Sequence, residues 1–506
     1  MSNPELEREN LWAGRFYLML ALILVWRIVY IAIAPLDLVP DESYYWDWSR
    51  KLDWGYFSKP PMVAWINALS TGLLGANDFT VRLPAALLSC LAVLGVFLLA
   101  RSIYNSKVGF WAAALSLAAP GSSALGFIMT IDAPLLACWS FALYFLWRNL
   151  EKGASVSGWV LLLGPVMGLG MLSKEMMLTF PLIMLLFMIL SSKVRVNLTR
   201  PWPYLAVIIA LIMILPTLIW NIRQGWITAE HSISHLDALS GNFFDFLITF
   251  PEFIGVQMLV ISPLTFILFT AVAAGLLIRF KSHDPAVRML FMYSVPALLV
   301  FTVLSFNQHI NGNWPAVFYP AGMILLAAWG CGEFDLGRRI DRLRGLFLPA
   351  VKVGVGFAVI TYALPFLIQL TPLVGEDYDP TQRLRGWSEL AKNMDEIMQQ
   401  VPQPEKTLVI VDDRRQVVSS LAFYMQNQPR VYRWTSGTRI SSQYELWPGP
   451  KDKYGHDALI VVRSGRSVSA SLENNFEEVS LVGELGEASG RTYQAYLGIN
   501  LLKWEK

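Results

Sequence analysis

A polytopic α-helical membrane protein with a C-terminal soluble α/β domain is the fold class this sequence predicts, on three observations. Hydrophobic residues make up 55% of the 506 and charged residues only 15%, a balance that a purely water-soluble assembly of domains does not show. Apolar stretches near the ~20 residues that one helical crossing needs recur throughout the first three quarters of the chain. From Thr371 onward charges, glycines and prolines return, and the pattern turns to short buried strands.

Taken in order, the expected crossings lie near residues 11–34, 82–100, 108–128, 133–149, 156–173, 176–190, 203–220, 252–279, 288–306, 315–331 and 348–370, about eleven in all. The first, from Leu11 to Ala34, is too long for a signal-peptide core and lacks a small-residue cleavage pattern before Pro40, so it is read as retained. Basic residues cluster between alternate crossings: Arg101 with Lys107, Arg148 with Lys152, Lys193 with Arg195 and Arg200, Arg279 with Lys281 and Arg288, and Arg338, Arg339, Arg342 and Arg344. The positive-inside rule assigns that face to the cytoplasm. An odd count carries the C-terminus to the other side. Residues 1–370 are then a membrane domain with an extracytoplasmic loop at 35–80, and residues 371–506 a periplasmic α/β domain. Within that domain "KTLVIVDD" (406–413) reads as a buried strand, "RRQVVSSLAFYMQNQ" as a helix, and "RVYRW" and "DALIVVRSG" as further strands.

Several classes of function are disfavoured at once. The formal net charge of +2 is divided among small clusters, which argues against a nucleic-acid partner. Cys90, Cys138 and Cys331 sit in or beside apolar segments and give neither a disulfide framework nor metal-type spacing. No P-loop and no Rossmann glycine fingerprint supports direct use of a nucleotide. Nor is there an internal repeat of the kind that marks many secondary transporters.

The loops opposite the basic clusters hold nearly every residue of chemical interest, so chemistry is expected outside the cytoplasm. "DESYYWDWSRKLDWGYFSKPP" (41–61) is the richest. Its Trp and Tyr residues at 44, 45, 46, 48, 54 and 56 suit a helix lying along the membrane interface, with Tyr45 a candidate substrate contact. Asp41 after Pro40 reads either as a helix N-cap, with Glu42 favoured in the first turn, or as a carboxylate facing a cavity to act on an acceptor. Lys59, fixed by two prolines, either snorkels toward anionic lipid or donates to a phosphate. Asp132 in "TIDAPLL" is a cap or a catalytic carboxylate. Lys174 and Glu175 in "LSKEMM" stand at the membrane boundary, where ionisable groups are rare unless paired or functional; they form a mutual ion pair, or Lys174 serves a substrate phosphate. Arg223 in "WNIRQGW" can hold a phosphate bidentately. His309 and Asn313 in "NQHINGNWPAVFYP" can hydrogen-bond a sugar, and Arg82 can support the acids of the first loop; interfacial anchoring by tryptophan is the plainer reading of these segments. His231 and His235, four apart after Glu230, share a helix face and are the candidates for a divalent metal, without a clear third ligand. No cofactor is otherwise implied.

In this order the residues resemble the GT-C membrane glycosyltransferases, near the protein O-mannosyltransferases and, more closely, the aminoarabinose transferases that modify lipid A. The resemblance rests on Asp41-Glu42, Lys59-Pro60-Pro61, Arg82-Leu83-Pro84, Asp132-Ala133-Pro134 and Ser173-Lys174, and runs over roughly residues 10–330. It implies a polyprenyl-phosphate-linked sugar as donor, and transfer outside the cytoplasm of a bacterial inner membrane with inversion at the anomeric carbon. The implied acceptor is lipid A, another envelope glycolipid or a polysaccharide. Asp41 is then the leading catalytic acid, Lys59 and Lys174 are donor-phosphate ligands, and Asp132 is a second carboxylate near the reaction centre. Where the acceptor is itself a phosphate, Asp41 orients the substrate and need not remove a proton. The physics agrees, since cations at headgroup depth stabilise a phosphate leaving group while carboxylates handle the acceptor. Two rivals stay open: a lipid-linked-sugar flippase, against which stands the scarcity of ionisable residues at mid-bilayer, and a protein O-mannosyltransferase.

Overall fold

The computed structural model of the chain describes residues 4–152, 158–234, 246–279, 284–371, 379–437 and 440–504. Its first half runs α1 (Pro4–Ile33), α2 (Pro40–Ser49), α3 (Met62–Leu74), α4 (Asp78–Ile103), α5 (Ser106–Ala118), α6 (Pro120–Leu125), α7 (Asp132–Lys152), α8 (Val160–Ser173), α9 (Thr179–Leu190) and α10 (Trp202–Arg223). There follow α11 (Ile227–Ser234), α12 (Phe246–Ile261), α13 (Pro263–Arg279), α14 (Pro285–Met292), α15 (Val295–Leu304), α16 (Tyr319–Cys331), α17 (Arg338–Asp341) and α18 (Phe347–Ile368). The C-terminal part adds α19 (Trp387–Met398), β1 (Leu408–Val411), α20 (Arg415–Tyr424), β2 (Val431–Arg433), α21 (Gln443–Leu446), β3 (Ala458–Arg463), α22 (Ala470–Glu473), β4 (Phe476–Ala488) and β5 (Arg491–Leu501).

Among the described residues six helical segments are long and apolar enough to cross a membrane: α1, α4, α10, Pro285–Leu304, Trp314–Cys331 and Arg338–Ile368. The segment expected to cross once at 252–279 is instead two helices, α12 and α13, bent by 106° at their junction. Pro263 causes this: its ring disfavours a helical residue before it and it brings no N–H, and Ser262 takes a φ of 74°. The pair makes a seventh span only if counted as one. Likewise the stretch expected at 108–128 is divided between α5 and α6 at Ala119–Pro120. The apolar segments α3, α8 and Glu175–Leu190 are shorter than the ~20 residues of a full crossing.

The chain separates into two compact units, the first being Met1–Ala32, Lys59–Val63 and Arg82–Ala363. This unit is a helical bundle whose helices approach closely at small residues. On α8, Gly164 and Gly168 lie one turn apart, and an added Cβ would meet Ile209 at 2.7 Å and Met213 at 2.6 Å on α10. Small residues four apart admit a neighbouring backbone in this way. Arg27 is buried in mid-α1 and donates to Ser89 Oγ (2.7 Å), the Ser122 carbonyl (3.0 Å) and Tyr362 Oη (3.2 Å).

The second unit is Ile33–Ser58, Ala64–Val81 and Leu364–Lys506. Its five-stranded sheet has the order β2-β1-β3-β5-β4, with β1 parallel to β2 and β3, and β5 antiparallel to β3 and β4. Ile410, Ile460, Trp434, Leu472, Phe476 and Trp504 build one core of this unit. The strands expected at 406–413, "RVYRW" and "DALIVVRSG" are β1, β2 and β3, and the expected helix is α20. The β4–β5 hairpin was not read from the sequence.

Helix α2, expected to lie along the membrane interface, is enclosed by protein. Eight of its ten residues are buried, because it packs against α20 within the same unit: Trp46 meets Phe423 edge-on at 4.9 Å, and Tyr44 lies 5.4 Å from Tyr444. Its aromatic rings therefore serve protein packing.

Candidate active site

In the helical unit one charged cluster is built from three separate segments. Asp132 opens α7, but it does not cap the helix with its side chain. Thr130 fills that place, its Oγ1 accepting from the Asp132 N–H at 3.2 Å and its carbonyl from Ala133 at 3.3 Å. Pro134 suits the first turn, where N–H groups lack partners in any case. The Asp132 carboxylate is thus left to turn inward. Two turns on along the same face, fully buried Trp139 meets Phe180 at 5.1 Å and Phe318 at 5.3 Å, both edge-on. Such aromatic pairs contribute about 0.5–1.5 kcal/mol each beyond their buried area, and they fix α7 against α9 and the turn at Trp314–Phe318.

Lys174 ends α8 in an extended conformation (φ −160°, ψ 142°), which breaks the helix before the tight turn Glu175–Leu178. Its Nζ donates to Asp132 Oδ1 at 2.8 Å, and Asn313 Nδ2 donates to Asp132 Oδ2 at 2.7 Å. The side chains of Lys174 and Asp132 are 9% and 2% exposed, so this is an ion pair in a low-dielectric setting with both carboxylate oxygens engaged. The expected alternative, Lys174 with Glu175, does not form; Glu175 Oε1 is buried without a hydrogen-bond partner among the described residues. Asn313 also borders an apolar cavity of about 250 Å³, whose wall includes Ser89, Ser122 and Tyr319. Two of these are the residues that accept from Arg27.

The other sequence candidates in this unit lie on further segments. Lys59 is half-buried just ahead of α3, Arg82 is buried near the start of α4, and Arg223 is exposed in the last turn of α10. His309 is exposed, with its Nδ1 2.7 Å from Glu252 Oε2 on α12, so its described partner is a carboxylate. Asn313 likewise spends its amide on Asp132. His231 is half-buried on α11 and His235 lies outside the described residues. Among the described residues no three His, Cys, Asp or Glu side chains gather as a metal site would require.

The α2 residues belong to the second unit. Glu42 is buried and its Oε2 accepts from the Val39 N–H at 2.9 Å, which ties the carboxylate to the start of its own helix. Asp41 faces outward with its side chain 42% exposed, and Arg415 Nη2 donates to its Oδ1 at 3.0 Å. The same guanidinium lies 4.5 Å from the Tyr44 ring. Burial drives the Tyr44 hydroxyl up to about 12 against the pull of Arg415, and its oxygen accepts from the Gln443 N–H at 2.6 Å. Tyr45 is buried edge-on to Trp48 at 5.1 Å. Arg415 and Glu252 were not singled out from the sequence, and nothing local marks either. Arg27 was passed over too, although a charge deep within the first apolar run is itself a signal.

Residues 58–220 match the protein family described as dolichyl-phosphate-mannose-protein mannosyltransferase. The lipid A galacturonosyltransferase RgtD of Rhizobium johnstonii is 28% identical over 427 residues, covering 83% of this chain and 85% of that protein. The undecaprenyl phosphate-alpha-4-amino-4-deoxy-L-arabinose arabinosyl transferase of Pseudomonas paraeruginosa is 32% identical over 196 residues, or 35% of each chain. Among solved structures, ArnT from Cupriavidus metallidurans bound to undecaprenyl phosphate superposes with a TM-score of 0.62 at 19% identity, over 95% of this chain and 98% of that one. The archaeal oligosaccharyltransferase AglB from Archaeoglobus fulgidus gives 0.52 at 12% identity, over 83% and 64%. At these identities the structural likeness is one of fold. Family match, relatives and fold agree in making the chain similar to membrane glycosyltransferases.

Proposed function

We propose that the chain is a multi-pass enzyme of the bacterial inner membrane that moves a sugar from a polyprenyl-phosphate-linked donor to lipid A, another envelope glycolipid or a polysaccharide, on the periplasmic side and with inversion. The observation that carries this reading is the buried Asp132–Lys174–Asn313 cluster, in a chain similar over 83% of its length to a lipid A galacturonosyltransferase. Transfer breaks the anomeric C–O bond, leaves the electron pair on the departing phosphate, and forms a new bond from the acceptor oxygen on the opposite face. Preorganised donors aimed at the departing phosphate lower that barrier.

The Lys174–Asp132 pair is neutral as a unit, so it directs a phosphate oxygen more than it attracts one. Lys174 has three N–H donors, and among the described residues only Asp132 accepts from it. Lys59 and Arg223 are proposed to supply the compensating charge. Asp41, outward-facing and held by Arg415, is proposed to take the acceptor proton, or to orient an acceptor that is already a phosphate. Glu42 serves by fixing α2. The exposed His309–Glu252 pair offers hydrogen bonds to sugar hydroxyls.

A hexuronic sugar is favoured over a pentose, because similarity to the galacturonosyltransferase spans 83% of the chain and similarity to the arabinosyl transferase 35%. We also infer eleven crossings, namely the six long segments, the α12–α13 pair, α5 with α6, α7, α8 and Glu175–Leu190, with residues 371–506 as a periplasmic domain. A protein acceptor is the second reading, supported by the family match at 58–220.

The test supplies the purified chain in liposomes with undecaprenyl-phosphate-linked galacturonic acid and lipid A. Lipid A gaining sugar, with at least a 100-fold loss in Asp41→Asn, is the expected result. Donor that crosses the bilayer intact with no transfer would replace this reading with a flippase.

A further inference from the structure

Within the C-terminal unit lies a second cavity, of about 700 Å³, that the proposed transfer chemistry does not use. Its size falls inside the ~300–1,000 Å³ typical of small-molecule pockets. Arg430, Arg433 and Lys451 line it against a single carboxylate, Glu445. That carboxylate is already satisfied: Arg433 Nη1 pairs with it at 3.0 Å, and the N–H groups of Ser441 and Ser442 donate to it at 2.9 and 2.6 Å. Arg430 donates to the Pro448 carbonyl and lies 4.8 Å from the Tyr432 ring, but makes no ion pair among the described residues. The Lys451 ammonium has neither a hydrogen bond nor an ion pair among them. Two cations are therefore left uncompensated at one pocket.

Aromatic surface accompanies this charge. Trp447 and Trp504 both line the cavity, and the Trp504 ring lies so close to the Gly449 backbone that a Cβ there would fall 2.0 Å from its Nε1. Only glycine lets that indole sit where it does. The Lys51 ammonium lies 4.9 Å from the centre of the Trp447 ring. Burial, and then the neighbouring charge of Arg430, hold Lys51 below the ordinary lysine range.

An indole face matches the C–H face of a sugar ring, and unpaired Arg and Lys groups match a phosphate or carboxylate on it. We propose that this cavity binds an anionic saccharide, its ring against Trp447 and its charge on Arg430 and Lys451.

Isothermal titration of the full chain in detergent tests this with glucose 6-phosphate and galacturonate as probes, and glucose and inorganic phosphate as controls. At least one anionic sugar is expected to bind one per chain, and both controls at least tenfold more weakly; which probe binds separates a phosphate from a carboxylate ligand. Trp447→Ala and Lys451→Gln should each weaken binding tenfold or more while unfolding at the parent temperature. Asp132→Asn combined with Lys174→Met, which neutralises the buried pair as a whole, should bind as the parent does, which distinguishes failure of this proposal from failure of the proposed transfer function. The proposal is overturned if neither sugar binds, if inorganic phosphate binds equally well, or if both folded pocket variants bind unchanged.

Discussion

Asp47 shows how a single residue in this chain copes with a charge that water cannot reach. It is 7% exposed, takes a bond from Tyr444 Oη at 2.8 Å and pairs with Arg50 at 3.2 Å. Burial nonetheless outweighs these partners and raises its carboxyl above the usual range. A raised folded value means that the native state holds the proton more tightly than the unfolded chain. Stability is therefore lost as pH climbs from the ordinary Asp value of about 3.9 through the raised one. Asp47→Asn keeps an acceptor for Tyr444 and removes the titration, so its thermal midpoint should gain on the parent across that window. Parallel midpoints of parent and variant from pH 4 to 7 would show that Asp47 is not the titrating group. At this scale the sequence was generous with identities and silent on partners. Asp132, Lys174 and Asn313 were each legible as polar residues at the ends of apolar runs. Their bonds, across 42 and 181 residues of chain, follow from the fold and from no local pattern.

Among the elements, α8 links packing to the site, because the helix that ends at Lys174 is seated on α10 through Gly164 and Gly168. Gly164→Val would press a branched side chain onto Ile209 and the Ala206 carbonyl, which lie 2.7 and 3.0 Å from a Cβ at that position. Overpacking of this kind costs about 1–3 kcal/mol. A fall in the thermal midpoint of the full chain is expected, along with reduced transfer as Lys174 shifts; an unchanged midpoint would mean that α8 and α10 are not packed as described. Length and hydrophobicity located most of the apolar helices, including those that form α5, α6, α12 and α13, but not α3, which lies inside the expected loop 35–80. What they concealed was the breaks, because Pro120 and Pro263 stand inside runs whose hydrophobicity is continuous. The aromatic content of α2 misled for a related reason, since rings that suit a headgroup layer suit a protein core equally well.

For the whole molecule, the C-terminal domain was visible in composition. Its alliance with the first loop was not, since contacts such as Arg415 with Asp41 join residues 374 apart in sequence. The proposed eleven crossings would put this unit outside the cytoplasm, and that is open to test at Ser436, an exposed position. With Cys90, Cys138 and Cys331 replaced by serine, Ser436→Cys should react with a membrane-impermeant maleimide in intact spheroplasts. Reaction only after permeabilisation would reverse the topology.

Transfer by a chain whose buried pair has been neutralised tests the central claim most directly. Removing one partner of such a pair costs about 3–5 kcal/mol, whereas replacing both by neutral groups of similar volume is often tolerated. Asp132→Asn combined with Lys174→Met should therefore fold better than Lys174→Met alone. If Asp132 and Lys174 serve the reaction, sugar transfer by this folded double variant falls at least 100-fold below the parent. A double variant that transfers at the parent rate would reduce the pair to a structural contact and contradict the mechanism.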